Sequence, residues 1–442
     1  MWKPFQTFTS LQVSGGLVIL LMTVVALLWA NSIFGETYRK VWHTSLSIGW
    51  DGRTLDKPLH FWINEGLMMF FFFLVGLEIK REVLIGELAT VRKAALPVMA
   101  AVGGMLVPAL IYFVFNPTGV TTRGWAIPTA TDIAFTIGVV TLLGNRVPRS
   151  LTVFLVALAI ADDLGAVLII ALFYTGGISI LHLKFVGLWL LFLIVINILG
   201  VRRPLPYVVL GSLVWMEVYL SGIHSTVAGI LVAMAIPARS RSDTDAFLQG
   251  ARNLLEEFRC AGPCGFSLYT KAEHQDAVRE IENLCLSVQP PLLRIEHTLN
   301  PWVVFGVVPL FALANAGVHL DVNTLANALS SPTSLGVFFG LVVGKQIGIF
   351  SVSWLTVRLG IAELPAASSW IQLYGCAILC GIGFTMSIFI ADLAFVRSDY
   401  LDMAKLGILL GSAVSLVVGL TVLYLGSLRQ NRRAMPAEAD LA

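Results

Sequence analysis

The chain has 442 residues, of which 57% are hydrophobic and 13% charged, with a mean hydropathy of +0.83. Soluble domains carry about 25% charged residues, so this composition excludes an ordinary soluble enzyme and describes a polytopic membrane protein. A formal net charge of +2 gives no basis for nucleic-acid binding, and five cysteines in no secreted disulfide pattern read as reduced thiols.

About twenty apolar residues cross a bilayer as a helix. The apolar runs predict roughly twelve such helices, near 11–31, 59–79, 94–115, 124–143, 150–174, 182–200, 205–220, 222–236, 302–316, 333–355, 370–395 and 404–426. The first run is longer than a signal-peptide core and no small-x-small cleavage site follows it, so it reads as a membrane helix. Between the first two runs, "SLSIGWDGRTLDK" sets Asp51-Gly52 between two short alternating stretches, which predicts a periplasmic β-hairpin at about 45–58.

The long loop 237–301 carries a capping pattern, Thr270 with Glu273, ahead of Ala277, Ile281, Leu284 and Cys285 at helical spacing. Short amphipathic helices are expected in this insertion, at about 238–293. Cys260, Cys264 and Cys285 with His274 lack any standard zinc spacing, so no metal is expected there. The polar end, 431–442, reads as a disordered cytoplasmic tail after a membrane domain spanning 1–430.

An even number of crossings puts both termini on one side, and lysine and arginine show which side. Thirteen lie on the terminal side, before the long loop adds seven more, against eight on the other. Both termini are therefore expected to be cytoplasmic.

Few ionisable residues fall within the runs: Glu65, Asp132, Asp162, Asp163, Glu217, His224, Lys345 and Asp392. Glu217 and Asp392 lie near helix ends, where a charge can reach the headgroups. Asp132, Asp162, Asp163 and Lys345 are mid-run, where a charge on an insertion scale costs about 2.5–3.5 kcal/mol. Pro128, Thr129 and Thr131 beside Asp132 predict a broken helix, and Gly381 and Gly383 beside Thr385 predict a second break. Irregular backbone at membrane depth survives only inside protein or along a watery cavity, so the two breaks point to one shared polar site.

Asp132 is suited to the N-terminal ends of the half-helices and Lys345 to their C-terminal ends. Asp162 and Asp163, about 100° apart on a helix, cannot point the same way. Three acids against one base leave a surplus negative charge that a proton or a cation can neutralise. Carboxylates, hydroxyls and freed carbonyls are hard oxygen ligands for a small cation. Because a carboxylate out of water is costly to keep charged, it takes either a proton or a cation, and exchange follows from that competition.

The segments "FWINEGLMMFFFFLVGLEIKRE", "GWAIPTATDIAFTIGV", "ALAIADDLGAVLIIALFYT", "SGIHSTVAGILV", "PLFALANAGV", "VGKQIGI" and "CGIGFTMSIFIADLAF" resemble the NhaA family of sodium/proton antiporters over about residues 10–427. The resemblance implies an all-α fold with inverted repeats, the third to fifth and tenth to twelfth helices, crossing at two interrupted helices. It implies Asp163 and Asp132 as ligands of the transported Na⁺, Thr131 at the unwound segment, and an Asp162–Lys345 pair that changes protonation. It further implies electrogenic, pH-regulated export of Na⁺ or Li⁺ for H⁺ across the bacterial inner membrane, no cofactor, and a homodimer joined through the hairpin.

Glu78, Arg81, Glu82, Glu296, His297 and His224 match positions linked to pH response. This chain departs from well-studied members in having Glu65 for the more usual Asp, and Leu293 and Asn300 where they have a basic residue and a histidine. Two other classes compete with an antiporter. A cation channel would use the acids as a selectivity ring. An intramembrane aspartyl protease would face two carboxylates to share one proton, but the chain lacks a Gly-x-Gly-Asp motif and places a lysine among the acids.

Overall fold

The structure, a computed structural model, describes residues 3–50, 53–201, 204–238, 244–260, 272–319, 321, 326, 328–395 and 399–439. It is helical apart from one two-stranded sheet. The first half holds α1 (Lys3–Ala30), α2 (Gly35–His43), β1 (Ser45–Trp50), β2 (Arg53–Pro58), α3 (Leu59–Phe61), α4 (Met68–Ile85), α5 (Val91–Phe115), α6 (Ile133–Leu142), α7 (Arg149–Phe173), α8 (Ile180–Ile198), α9 (Pro204–Leu220) and α10 (Thr226–Ala235). The second holds α11 (Thr244–Cys260), α12 (Ala272–Val288), α13 (Pro291–Trp302), α14 (Val308–Asn315), α15 (Pro332–Phe339), α16 (Lys345–Arg358), α17 (Trp370–Leu379), α18 (Phe384–Ala394) and α19 (Asp399–Ala439). Wider π-turns at Trp62–Leu67, Val303–Val307 and Gly340–Gly344 join α3 to α4, α13 to α14 and α15 to α16, and a 3₁₀ stretch, Val120–Thr129, precedes α6.

Apolar runs form helices here because a helix satisfies its own backbone without water. Among the described residues, eight helical segments are long and apolar enough to cross a membrane, or nine with the bent pair α17–α18. The other three expected segments are helical too. α9 and α10 are shorter apolar helices, and α4 carries Glu78, Lys80, Arg81 and Glu82 toward its end. Leucines that a soluble protein would bury point outward, among them Leu17 and Leu21 of α1, Leu106 and Leu110 of α5, and Leu172 of α7. Lipid is as apolar as a leucine side chain, so no force drives these residues inward.

Packing inside the bundle relies on small residues. A Cβ added at Gly344 would lie 2.7 Å from Pro108 Cα, so α5 and the segment leading into α16 approach backbone to backbone. That contact fixes Lys345 one residue later, fully buried.

The hairpin pairs antiparallel from Ser45↔Pro58 to Trp50↔Arg53, with Asp51 and Gly52 outside the described residues. Helix α2 seats it: Tyr38 Oη donates to Leu313 O at 2.9 Å and accepts from Gly317 N at 3.2 Å. The amphipathic helices expected in the long loop are α11 and α12, which pack on each other with Leu284 beside Gly250. Thr270 and Cys264 lie outside the described residues.

The ninth expected segment begins at Pro291 rather than near 302. Pro291 opens α13 without needing an N–H partner, and the Val303–Val307 π-turn absorbs the break before Pro309. Glu296 and Asn300 thereby become buried residues of a membrane helix instead of loop residues. At the other end, α19 runs as helical backbone to Ala439, through the segment read from sequence as a disordered tail.

Candidate functional site

The two sequence breaks meet. The 3₁₀ stretch ends at Thr129, α6 restarts at Ile133, and α17 and α18 bend by 44° across residues 380–383. Asp132 N donates to Ile382 O at 2.7 Å, so backbone crosses backbone at membrane depth. Gly383 has φ −92°, an ordinary value, so glycine is not needed there for left-handed backbone. It provides clearance, since a Cβ would run into Ser387 Oγ, which donates to Ile127 O, and would lie 3.1 Å from Ala130 O.

Each loose helix end at this crossing finds a partner. Asp132 caps α6 by accepting from Phe135 N at 3.0 Å through Oδ1. Its Oδ2 accepts from Thr385 N at 3.1 Å and Thr385 Oγ1 at 2.5 Å, capping α18 as well. One carboxylate thus answers two positive helix ends. The carbonyl ends are met by hydroxyls: Thr131 Oγ1 donates to Cys380 O at 3.0 Å, Thr136 Oγ1 to Leu379 O at 3.4 Å, and Ser387 Oγ to Ile127 O at 2.8 Å.

Lys345 Nζ donates to Asp162 Oδ2 at 2.6 Å, with both side chains buried. Removing one partner of such a pair leaves an uncompensated charge, which is costlier than never having buried either. Asp163, the next residue on α7, is 1% exposed, and among the described residues neither of its carboxylate oxygens has a hydrogen-bond partner. It opens on a cavity of about 40 Å³ lined by Glu78, Asn300, Ile133, Ala134 and apolar side chains of α1, α4 and α14. One water needs about 10–15 Å³, so the space admits a few water molecules.

Beside Glu78 gather the other residues of α4 and α13 that the sequence matched to pH response. Arg81 pairs with Glu296 at 2.5 Å and with Glu82 at 3.2 Å, and Glu78 is buried beside them. Among the described residues Glu296 Oε2 and Asn300 Oδ1 have no hydrogen-bond partner. His297, one residue along, is exposed. Leu293 packs with the α8–α10 cluster instead.

His224 stands apart from this group. Its Nδ1 lies 3.4 Å from Glu65 Oε1, an ion-pair distance without hydrogen-bond alignment. Glu65 sits on the Trp62–Leu67 π-turn, whose loosened backbone lets Glu65 O accept from Trp215 Nε1 at 3.0 Å and Ser225 Oγ at 2.9 Å.

Two sequence readings change. Glu217 does not simply reach for headgroups but pairs with His182 at 2.8 Å. Asp392 is likewise held inside the protein, 3.3 Å from Lys405, with both side chains under a tenth exposed. Thr385 and Asn300 enter the site although neither stood out as a ligand. A neutral polar residue in an apolar run has no signal of its own; Thr385 could have been found only from its place two residues after Gly383.

Residues 6–423 match the family described as Na⁺/H⁺ antiporter 1. The chain is 46% identical over 426 residues to the Na⁺/H⁺ antiporter NhaA of Koribacter versatilis, covering 96% of this chain and 91% of that protein. It is 46% identical to NhaA 2 of Syntrophotalea carbinolica, covering 97% and 98%, and 47% identical to NhaA of Acidithiobacillus ferrooxidans, covering 96% and 98%. With the crossed breaks, the double-capping Asp132 and the free Asp163 already described, these matches over nearly the whole length establish that the chain belongs to the Na⁺/H⁺ antiporter 1 family.

Proposed function

We propose that the chain exports Na⁺, and Li⁺ in the same way, in exchange for H⁺ across the bacterial inner membrane, with Asp163 as the carboxylate that changes occupant. It is a transporter and not an enzyme. The observation that carries the assignment of Asp163 is the uneven satisfaction of the three acids. Asp132 accepts three hydrogen bonds, Asp162 holds Lys345, and Asp163 has no protein donor among the described residues. Its charge is therefore the one left for a proton or a small cation to neutralise.

Asp132 and the Thr131 segment complete the oxygen set beside it. Asp162–Lys345 supplies a second exchangeable charge, so more than one proton can enter per sodium leaving and the cycle becomes electrogenic. A channel gains nothing from a lysine paired inside the site, and a protease dyad needs two carboxylates on each other rather than one capping helices.

A twelve-crossing arrangement is supported by which ends meet. Arg92 pairs with Glu363, Lys80 donates to Met234 O, Arg81 pairs with Glu296, and Arg146 lies over the ring of Tyr424, all at the ends away from the hairpin. Asn116 donates to Pro332 O, Gly176 N to Gly222 O and Asn31 to Val318 O at the hairpin ends. Positive-inside sorting then puts the Arg81 side and both termini in the cytoplasm. The two crossed breaks fit inverted repeats. The two-stranded hairpin leaves an edge through which a second copy can extend the sheet. The Arg81–Glu296 cluster, next to Glu78 and Asn300 of the cavity, regulates entry with pH.

The test is sodium-driven collapse of an imposed ΔpH in proteoliposomes, with the membrane potential clamped and unclamped. Exchange that quickens when a potential is imposed supports the electrogenic reading, and no response to Na⁺ or Li⁺ refutes antiport.

A further inference from the structure

The cavity at Asp163 leads toward Glu78 and Asn300. An exchanger must also reach the other side, and α18 leads there. Thr385, which donates to Asp132, is followed on the same helical face by Phe389 and Asp392 at i+4 and i+7, about 10 Å along the axis.

Phe389 is fully buried, with ring centroids of Phe72 at 5.4 Å, Phe311 at 6.0 Å and His224 at 6.1 Å. Beyond this aromatic plug lies a second buried charged network. Asp392 Oδ1 is 3.3 Å from Lys405 Nζ, and its Oδ2 accepts from Asn64 Nδ2 at 3.2 Å. Asn315 Nδ2 donates to Asn64 Oδ1 at 2.9 Å, and His60 Nε2 lies 2.7 Å from Asn315 Oδ1. Four chain segments thus bring an acid, a base, a histidine and two amides together inside the protein on the hairpin side. That arrangement repeats the Asp162–Lys345 theme, a carboxylate held by a lysine that a cation can displace.

We propose that Asp392 is a second carboxylate site for the transported small cation and proton, on the hairpin-side half of the path, with Lys405 as its resident counter-ion and Phe389 as the gate separating it from Asp132. The inference rests on the reading of Asp132 and Asp163 as the central site. When the Phe389 ring leaves the cluster, the path from Thr385 to Asp392 runs along one helix face. The ionisable groups around Asp392 are Lys405 and Asp402 on α19, His60 ahead of the Trp62–Leu67 turn and Tyr38 on α2, while Asn64 donates its amide N–H to Asp392 and is itself held by Asn315.

The test compares right-side-out and inverted membrane vesicles carrying the full chain, measuring the apparent KM for Na⁺ separately on each face. Asp392→Asn is expected to raise KM on the hairpin face about tenfold, the equivalent of one weakened charged contact, and to leave the opposite face unchanged. Lys405→Met removes the competing ammonium and is expected to lower the hairpin-face KM. Phe389→Ala is expected to let an imposed ΔpH decay without added Na⁺. Equal shifts on both faces, or no shift, would overturn the site, and a wild-type ΔpH lifetime in Phe389→Ala would overturn the gate. If Asp392→Asn fails to insert, Asp392→Glu must still move the hairpin-face KM alone, and a wild-type value overturns the proposal. Failure of the central reading is separate, since it appears as undiminished exchange in Asp163→Asn.

Discussion

Asp132, Asp162 and Asp163 are chemically identical side chains at similar depth, and their surroundings give them different work. Asp132 is a structural cap for two half-helices as well as a proposed ligand, so losing its donors changes geometry first. Thr385→Ala deletes the shortest of those donors and is expected to weaken sodium affinity by roughly tenfold, the scale of a hydrogen bond to a charged group; an unaltered KM would place Thr385 outside the site. Asp163→Asn keeps the volume and removes the charge, and exchange should vanish while the melting temperature holds, because among the described residues no hydrogen bond is lost. The acids and Lys345 were legible in the sequence because charge in an apolar run is conspicuous. Thr385 and Asn300 were not, because a hydroxyl or amide in such a run is cheap enough to be common.

At the scale of helices, the breaks are built as much by clearance as by weak propensity. Gly383→Ala pushes a methyl toward Ala130 O and is expected to cost about 1–3 kcal/mol as overpacking, read as a lowered melting temperature with reduced exchange. A protein with wild-type melting and rate would contradict that account. Lys345→Ala strands Asp162 in low dielectric and should destabilise by about 3–5 kcal/mol, whereas Lys345→Met with Asp162→Leu should recover most of the loss. Thermal melts of the single and double variants separate a paired charge from a merely packed side chain. Pro128 and the glycines announced both breaks in the sequence. The family resemblance implied that they cross, but which donor meets which carbonyl there was not legible, since those contacts join residues 243 to 260 positions apart.

The whole molecule is a helical bundle whose outer faces expose many large apolar side chains, with buried polar groups along an internal line. That line runs from Arg81 and Glu296 through Asn300 and Asp163 to Asp132, then past Phe389 to Asp392. Glu296→Gln loosens the charge cluster at one end and is expected to shift the pH dependence of exchange more than His224→Ala does, because His224 packs against Phe389 beside Glu65, apart from that cluster. Equal shifts, measured as rate against pH in proteoliposomes, would remove the distinction.

Hydropathy and charge spacing determined by themselves that the chain lives in a membrane, where its helices run, where two of them break and which four charges lie deep. Each of those follows from local composition, since a bilayer penalises an unpaired charge or open backbone wherever it occurs. Only the tertiary structure decided which carboxylate stays free, that Glu296 and Asn300 belong to a membrane helix, and that Asp392 is buried against Lys405. Those outcomes depend on which distant segment arrives with a donor. Partner choice of that kind is set by packing geometry, which no local pattern of residues encodes.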